Sequence, residues 1–179
     1  CGPGFCTQEL AYITGASGKV MGVDKSEGFI NHLHQIAKLN HLSIDAICTD
    51  FNDFQLAPNS LDGMYCRWAL AWIPDPEEIL KKVFDALKPG GRMVLHEYYD
   101  WSTHQTEPSI PGLTKAIKAA YKSFGDMNAD LNIGRHLPRI LTELGMTVTS
   151  TRIMAKLATP KDLVWQWPKS FYESFFPRL

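Results

Sequence analysis

Gly2 and Gly4 stand at the head of this chain, and one acid, Asp24, answers them. A glycine-rich turn that opens a helix lets bare backbone N–H groups approach a ligand. An acid about 20 residues further on, closing the next strand, has its carboxylate placed for ribose hydroxyls. Gly4 and Asp24 have that separation, and Asp50 closes a second apolar run in the same way. Acids ending successive strands line the edge where open α/β sheets bind ligands. The chemistry implied is the holding of a nucleoside-containing cofactor. A dinucleotide fingerprint would need a third glycine where Thr7 stands, which counts against a standard nicotinamide or flavin site.

These residues need elements to position them. The spacing predicts a helix from Phe5 to about Ala16, a short strand through Val20–Val23 ending at Asp24, and a helix opened by Ser26 and Glu27. Phe29, Ile30, Leu33, Ile36 and Ala37 give that second helix its apolar face. Ile44–Cys48 reads as a buried strand, and Met64–Cys66 as another after a polar loop. Asp75-Pro76-Glu77-Glu78 is a helix start, with an N-cap acid, proline at the first position and more acids in the first turn. Its face runs Ile79, Leu80, Val83, Phe84, Leu87; Lys88-Pro89-Gly90-Gly91 then turns the chain into a strand from Arg92 to Tyr98. Short apolar strands alternating with helices predict an α/β fold, doubly wound, with a mostly parallel sheet and helices on both faces. Beyond it the pattern predicts helices over Leu113–Phe124 and Leu137–Leu144, a strand over Met146–Met154 with one face exposed, and an aromatic-rich helix from about Thr159. That closing segment holds Trp165, Trp167, Phe171, Tyr172, Phe175 and Phe176, which read as core or lid packing or as an exposed apolar patch.

The 179 residues suit a single domain, 45% hydrophobic and 21% charged, with net charge −1. No basic stripe suggests nucleic acid, and no apolar run has the roughly 20 residues of a membrane span. Cys1, Cys6, Cys48 and Cys66 form no CxxC pair and no zinc-like set with histidine, so reduced cysteines in a cytoplasmic protein are expected, with no metal. Cys48 and Cys66 fall in strand-like runs, where cysteine packs as a small hydrophobe. Oligomeric state is not legible.

Several stretches together resemble the class I S-adenosylmethionine-dependent methyltransferases of the small-molecule type. They are Cys1-Gly2-Pro3-Gly4, Gly22-Val23-Asp24, Thr49-Asp50-Phe51, Asp62-Gly63-Met64-Tyr65-Cys66-Arg67-Trp68-Ala69-Leu70 and Leu87-Lys88-Pro89-Gly90-Gly91-Arg92. The resemblance covers about residues 1–98 and is looser afterwards, which divides the expected domain into a cofactor-binding core (1–98) and a substrate side (99–179). It implies a Rossmann-like methyltransferase fold and S-adenosylmethionine as cofactor. It implies that Cys1, Gly2 and Gly4 line the cofactor's methionine part and ribose, that Asp24 takes the ribose hydroxyls, and that Asp50 and Phe51 flank the adenine. Arg67 and Trp68 would border the methionine end and the substrate. Set against the family, the first strand, central in its sheet, and the last strand are missing from this stretch. Unpaired edges on the missing strand's neighbours imply a fragment that is unstable or binds cofactor poorly alone.

The implied reaction moves a methyl group to a small organic acceptor. His96 is the candidate general base, with a structural histidine as the competing reading. Tyr98, Tyr99 and Trp101 form a candidate aromatic wall for the acceptor, with packing beneath the following loop as the alternative. His136 beside Arg135 is a further candidate for the same crevice; His32, His34, His41 and His104 show no partner pattern. A nicotinamide-dependent oxidoreductase and a non-catalytic, methyltransferase-like partner subunit remain as alternative functions.

Overall fold

A computed structural model describes residues 1–175, without the side chain of Phe175. Phe176, named above in the aromatic segment, lies outside the described residues. The chain divides into two compact units, Cys1–Met64 with Lys81–Met93, and Tyr65–Leu80 with the described residues from Val94 onward.

In the first unit α1 (Phe5–Thr14) is stopped by Gly15, whose positive φ of 67° suits glycine and whose N–H donates to Ala11 O at 3.1 Å. Then come β1 (Val20–Asp24), α2 (Glu27–Leu39) and β2 (Ile44–Cys48). Ser26 caps α2 by accepting from the Phe29 N–H at 3.4 Å. β1 and β2 are parallel, with Val20 opposite Ile44 and Asp24 opposite Cys48. The buried apolar residues of this unit are Ala11 from α1, Val20 from β1, Ile30, Leu33 and Ala37 from α2, and Val83, Ala86 and Leu87 from its Lys81–Met93 stretch. Leu33 is the keystone, fully buried under both Gly4 and Gly22, where an added Cβ would lie 2.5 Å and 2.9 Å from its methyls.

Next in order are β3 (Leu61–Arg67), α3 (Pro76–Ala86) and β4 (Leu87–His96), and β3 pairs with β4. Asp75 caps α3 by accepting from the Glu78 N–H at 3.4 Å. In the second unit α4 (Pro111–Asp126) buries Ile117, Ala120 and Phe124, the last against Trp72 with ring centroids 4.3 Å apart. α5 (Leu137–Glu143) adds Leu137 and Ile140, and α6 (Gln166–Phe175) closes the described chain. No helix among the described residues is long and apolar enough to cross a membrane.

Several expectations need correction. Met146–Met154 forms no strand: its Val and Ile alternate with threonine, but no edge pairs with it, and Ile153 and Met154 stand exposed. β4 begins at Leu87, five residues before the expected Arg92, and ends at His96 rather than Tyr98. Leu87 is therefore a buried strand residue and not part of the helix face, and Lys88–Gly91 lies within the strand. Gly90, at φ 82°, lets the backbone bend there without ending it. β3 runs beyond the expected Met64–Cys66 at both ends. β2 is not buried: none of its five residues is fully covered, and Cys48 is exposed rather than packed.

Candidate functional site

The first unit brings the opening loop and Asp24 into direct contact. Gly2 donates its N–H to Asp24 Oδ2 at 2.7 Å, and the Cys1 nitrogen donates to the same oxygen at 3.0 Å. Asp24 Oδ1 accepts from the Ser26 N–H at 2.9 Å. Burial pushes the Asp24 carboxyl up, but the Ser26 and Gly2 N–H groups, and the Cys1 nitrogen after them, outweigh it and hold it below the usual aspartate value. A carboxylate offers about four lone-pair positions, and three are filled, so Oδ1 keeps room for one more donor. Gly2 sits at φ 55° with nothing within 4 Å of where a Cβ would stand, which is an open approach to bare backbone. Gly4, at φ 86°, is closed by Leu33 and shapes the turn from beneath.

Asp50 stands at the end of the neighbouring strand, where the Thr49 N–H donates to Asp24 O at 3.0 Å. Asp50 Oδ1 accepts from both nitrogens of Asn52, at 3.0 Å each, and its carbonyl accepts from Asp53 and Phe54. This tight loop carries Phe51, half-buried. Lys82, on α3, donates from Nζ to the carbonyl oxygens of Phe51 and Asn52 and clamps the loop from outside. The loop, the open glycine and the spare lone pair of Asp24 lie at the C-terminal edge of one parallel pair, and they suit a nucleoside.

The second unit gathers the aromatic residues. Trp68, at φ 52°, stacks on Tyr98 with an interplanar angle of 6° and centroids 6.0 Å apart. His96 lies 5.6 Å from the Trp68 ring and the Arg67 guanidinium 5.2 Å above it. Burial, and then the Arg67 cation, pull the His96 pKa down, so its ring is neutral at pH 7. Burial and the Glu97 carboxylate push the Tyr98 phenol well above its usual value. Trp167 of α6 covers Trp68 at 4.9 Å, and Phe171 packs on Trp101 at 6.0 Å.

A family model for a methyltransferase domain matches residues 1–155. The chain belongs to this family. Among its relatives, the demethylmenaquinone methyltransferase of Desulfitobacterium hafniense is 30% identical over 175 residues, covering 87% of this chain and 66% of that protein. The demethylmenaquinone methyltransferase of Lactococcus lactis is 32% identical over 129 residues, covering 69% of this chain and 46% of that protein. The chain thus spans about half to two thirds of the length of these two curated relatives. The crystal structure of an S-adenosylmethionine-dependent methyltransferase from Aquifex aeolicus shares the fold, with TM-score 0.60 at 18% identity, covering 83% of this chain and 70% of that one. The fold is the Rossmann-like methyltransferase fold, and the cofactor of this class is S-adenosylmethionine.

Within this methyltransferase domain the expected cofactor residues of the first unit, Cys1, Gly2, Gly4, Asp24, Asp50 and Phe51, cluster at one edge. In the second unit Arg67, Trp68, His96 and Tyr98 come together. Tyr99 does not join them: it is 49% exposed and its ring lies 5.6 Å under the Arg135 guanidinium, which also pairs with Asp100. Trp101 is 4% exposed, and its indole N–H donates to Ile117 O at 3.4 Å, so it packs as core. His136 sits 3.6 Å from Asp130 in a cavity of about 350 Å³ also lined by Glu77 and Arg139. His104, read as partnerless, meets the Tyr172 hydroxyl at 2.6 Å. Sequence reasoning also missed Lys82 and Glu97. Each acts on backbone far along the chain, and no local motif marks either one. Among the described residues no group of three or more His, Cys, Asp or Glu is placed to hold a metal ion.

Proposed function

We propose that this protein transfers a methyl group from S-adenosylmethionine to a small organic acceptor, in the reducing setting of the cytoplasm. The observation that carries the reading is the union of Gly2 and Asp24, at 2.7 Å, beside an unobstructed glycine face. Asp24 takes a ribose hydroxyl on its spare Oδ1 lone pair. The Asp50–Phe51 loop flanks the adenine, with the free Asp50 oxygen toward its exocyclic amine. Gly2 admits the cofactor's chain against bare backbone, and Cys1 and Gly4 set the turn. The four cysteines are free, as a reducing compartment requires.

When bound, S-adenosylmethionine supplies an electrophilic methyl on a sulfonium; the acceptor's lone pair forms the new bond and the old bonding pair stays on sulfur. The protein's part is alignment and exclusion of water. Trp68 and Tyr98, stacked on each other, border the acceptor, and two relatives named demethylmenaquinone methyltransferase support a ring-bearing one. His96, neutral at pH 7, takes the acceptor's proton where there is one. Tyr98, held protonated, serves as wall and not as base.

The test is transfer of an isotopically labelled methyl from S-adenosylmethionine to a panel of ring-bearing phenols and quinols. Labelled product together with S-adenosylhomocysteine supports the reading. Cofactor binding with no transfer to any acceptor would instead favour the non-catalytic partner subunit.

A further inference from the structure

Glu97 is a half-buried carboxylate with no direct part in the methyl transfer described above. Its Oε1 accepts from the N–H groups of Ala69 and Leu70, at 2.8 Å and 2.9 Å, and lies 3.5 Å from Cys66 Sγ. Its Oε2 is buried with no hydrogen-bond partner among the described residues. Burying a carboxyl with one oxygen orphaned is costly, and such a group in a native fold asks for a reason.

The reason lies in what the two N–H groups do. They open the short 3-10 turn Leu70–Trp72, whose own N-cap, Ala69, has no side chain able to cap it. They also follow Trp68 directly. Trp68 holds φ 52°, a conformation that a bulky residue keeps only when its surroundings impose it. Its N–H is fixed on His96 O at 3.0 Å. Consecutive residues at the end of β4 therefore grip Trp68 from both sides, His96 through its carbonyl and Glu97 through its carboxylate. The outcome is the Trp68 ring lying flat on Tyr98 and under Trp167.

We propose that Glu97 is a positioning residue: its Oε1, held on the Ala69 and Leu70 N–H groups, fixes the Trp68 ring, stacked on Tyr98, that borders the methyl acceptor. The acceptor part rests on the methyl-transfer reading; the fixing of Trp68 does not. Burial raises the Glu97 pKa, and burial with the Glu97 carboxylate pushes the Cys66 thiol up to about 12.

The experiment reads the Trp68–Trp167 pair, 4.9 Å apart, by its exciton couplet in far-ultraviolet circular dichroism of the full chain without ligand, with W68F as the control that assigns the signal. Glu97→Gln keeps a carbonyl oxygen for the two N–H groups and is expected to retain the couplet. Glu97→Ala removes the acceptor, and Glu97→Asp withdraws it by one methylene; each is expected to lose at least about half the couplet. Labelled-methyl transfer by E97A or E97D should fall about 10- to 100-fold below E97Q, the cost of misplacing a group that orients the acceptor, with S-adenosylhomocysteine affinity within about threefold. A folded E97A or E97D with the full couplet overturns the proposal, and so does E97Q losing as much as they do. If E97A does not fold, E97D carries the comparison. Wild-type protein with the couplet and no transferase activity speaks against the methyl-transfer reading alone, and the couplets still decide the role of Glu97.

Discussion

Replacing Asp24 by asparagine is the most direct perturbation of the opening loop. The carboxylate holds three donors: Gly2 and Cys1 nitrogens on Oδ2 at 2.7 Å and 3.0 Å, and the Ser26 N–H on Oδ1 at 2.9 Å. Asparagine can keep its one oxygen on the first pair. Its amide nitrogen then faces the Ser26 N–H, donor against donor. Losing a hydrogen bond to a charged acceptor costs about 1.5–3 kcal/mol. The side chain is 19% exposed, so water recovers part of the loss and the lower part of the range, about 1.5–2 kcal/mol, applies. The pH dependence has a definite sign. The folded pKa of Asp24 is depressed below its ordinary value, so its stabilisation is fully present above the ordinary aspartate pKa of about 3.9 and is lost as pH falls through the folded value. Urea unfolding of wild type and D24N, followed by tryptophan fluorescence at pH 7 and at steps down to the acid limit of folding, measures both effects. The gap should be full at pH 7 and narrow once the pH drops below the ordinary aspartate range. A gap under about 0.5 kcal/mol at pH 7, or one that stays constant into acid, would refute the reasoning.

Gly4→Ala forces a Cβ to 2.5 Å from Leu33 Cδ1 at φ 86° and should cost about 2–4 kcal/mol in urea unfolding, whereas Gly2→Ala, with open space around it, should cost about 1 kcal/mol. G2A should instead weaken S-adenosylhomocysteine binding in titration, because its methyl occupies the open face. Leu33→Ala, at a fully buried side chain touching both glycine sites, should lose about 3–5 kcal/mol by the same unfolding measurement. Lys82→Met frees the carbonyls of Phe51 and Asn52 and should speed amide hydrogen exchange across residues 50–54, read by mass spectrometry, with or without ligand. Cys66, pushed up to about 12 by burial and Glu97, should resist alkylation at pH 8 under conditions that modify exposed Cys48, as peptide mapping will show.

What could be read from the sequence was local. Gly2, Gly4 and Asp24 announce themselves because turn chemistry and strand length set their spacing, and the structure joins Gly2 to Asp24 directly. The order of helices and strands through His96 was legible for the same reason, since each element carries its own periodicity and caps. Met146–Met154 misled because alternation measures propensity, and a strand also needs an edge to pair with. Gly90 misled in the opposite sense: proline and two glycines mark a turn, yet the chain stays in β4 through them. Glu97 was invisible because its partner Ala69 lies 28 residues away and a polar residue at a strand end is unremarkable. The His104–Tyr172 contact joins residues 68 apart and leaves no local trace. Trp101 read as a candidate wall residue with packing as the alternative; the structure buries it against Ile117 O of α4 and the rings of Tyr98, His104 and Phe171, contacts that sequence spacing could not place.

The central claim is that the Gly2–Asp24 edge of this domain holds the nucleoside of S-adenosylmethionine. Calorimetric titration with S-adenosylhomocysteine, with NAD as the comparison, tests it most directly. The account predicts saturable binding of S-adenosylhomocysteine, weakened in G2A, and none of NAD. Saturation by NAD instead would contradict it.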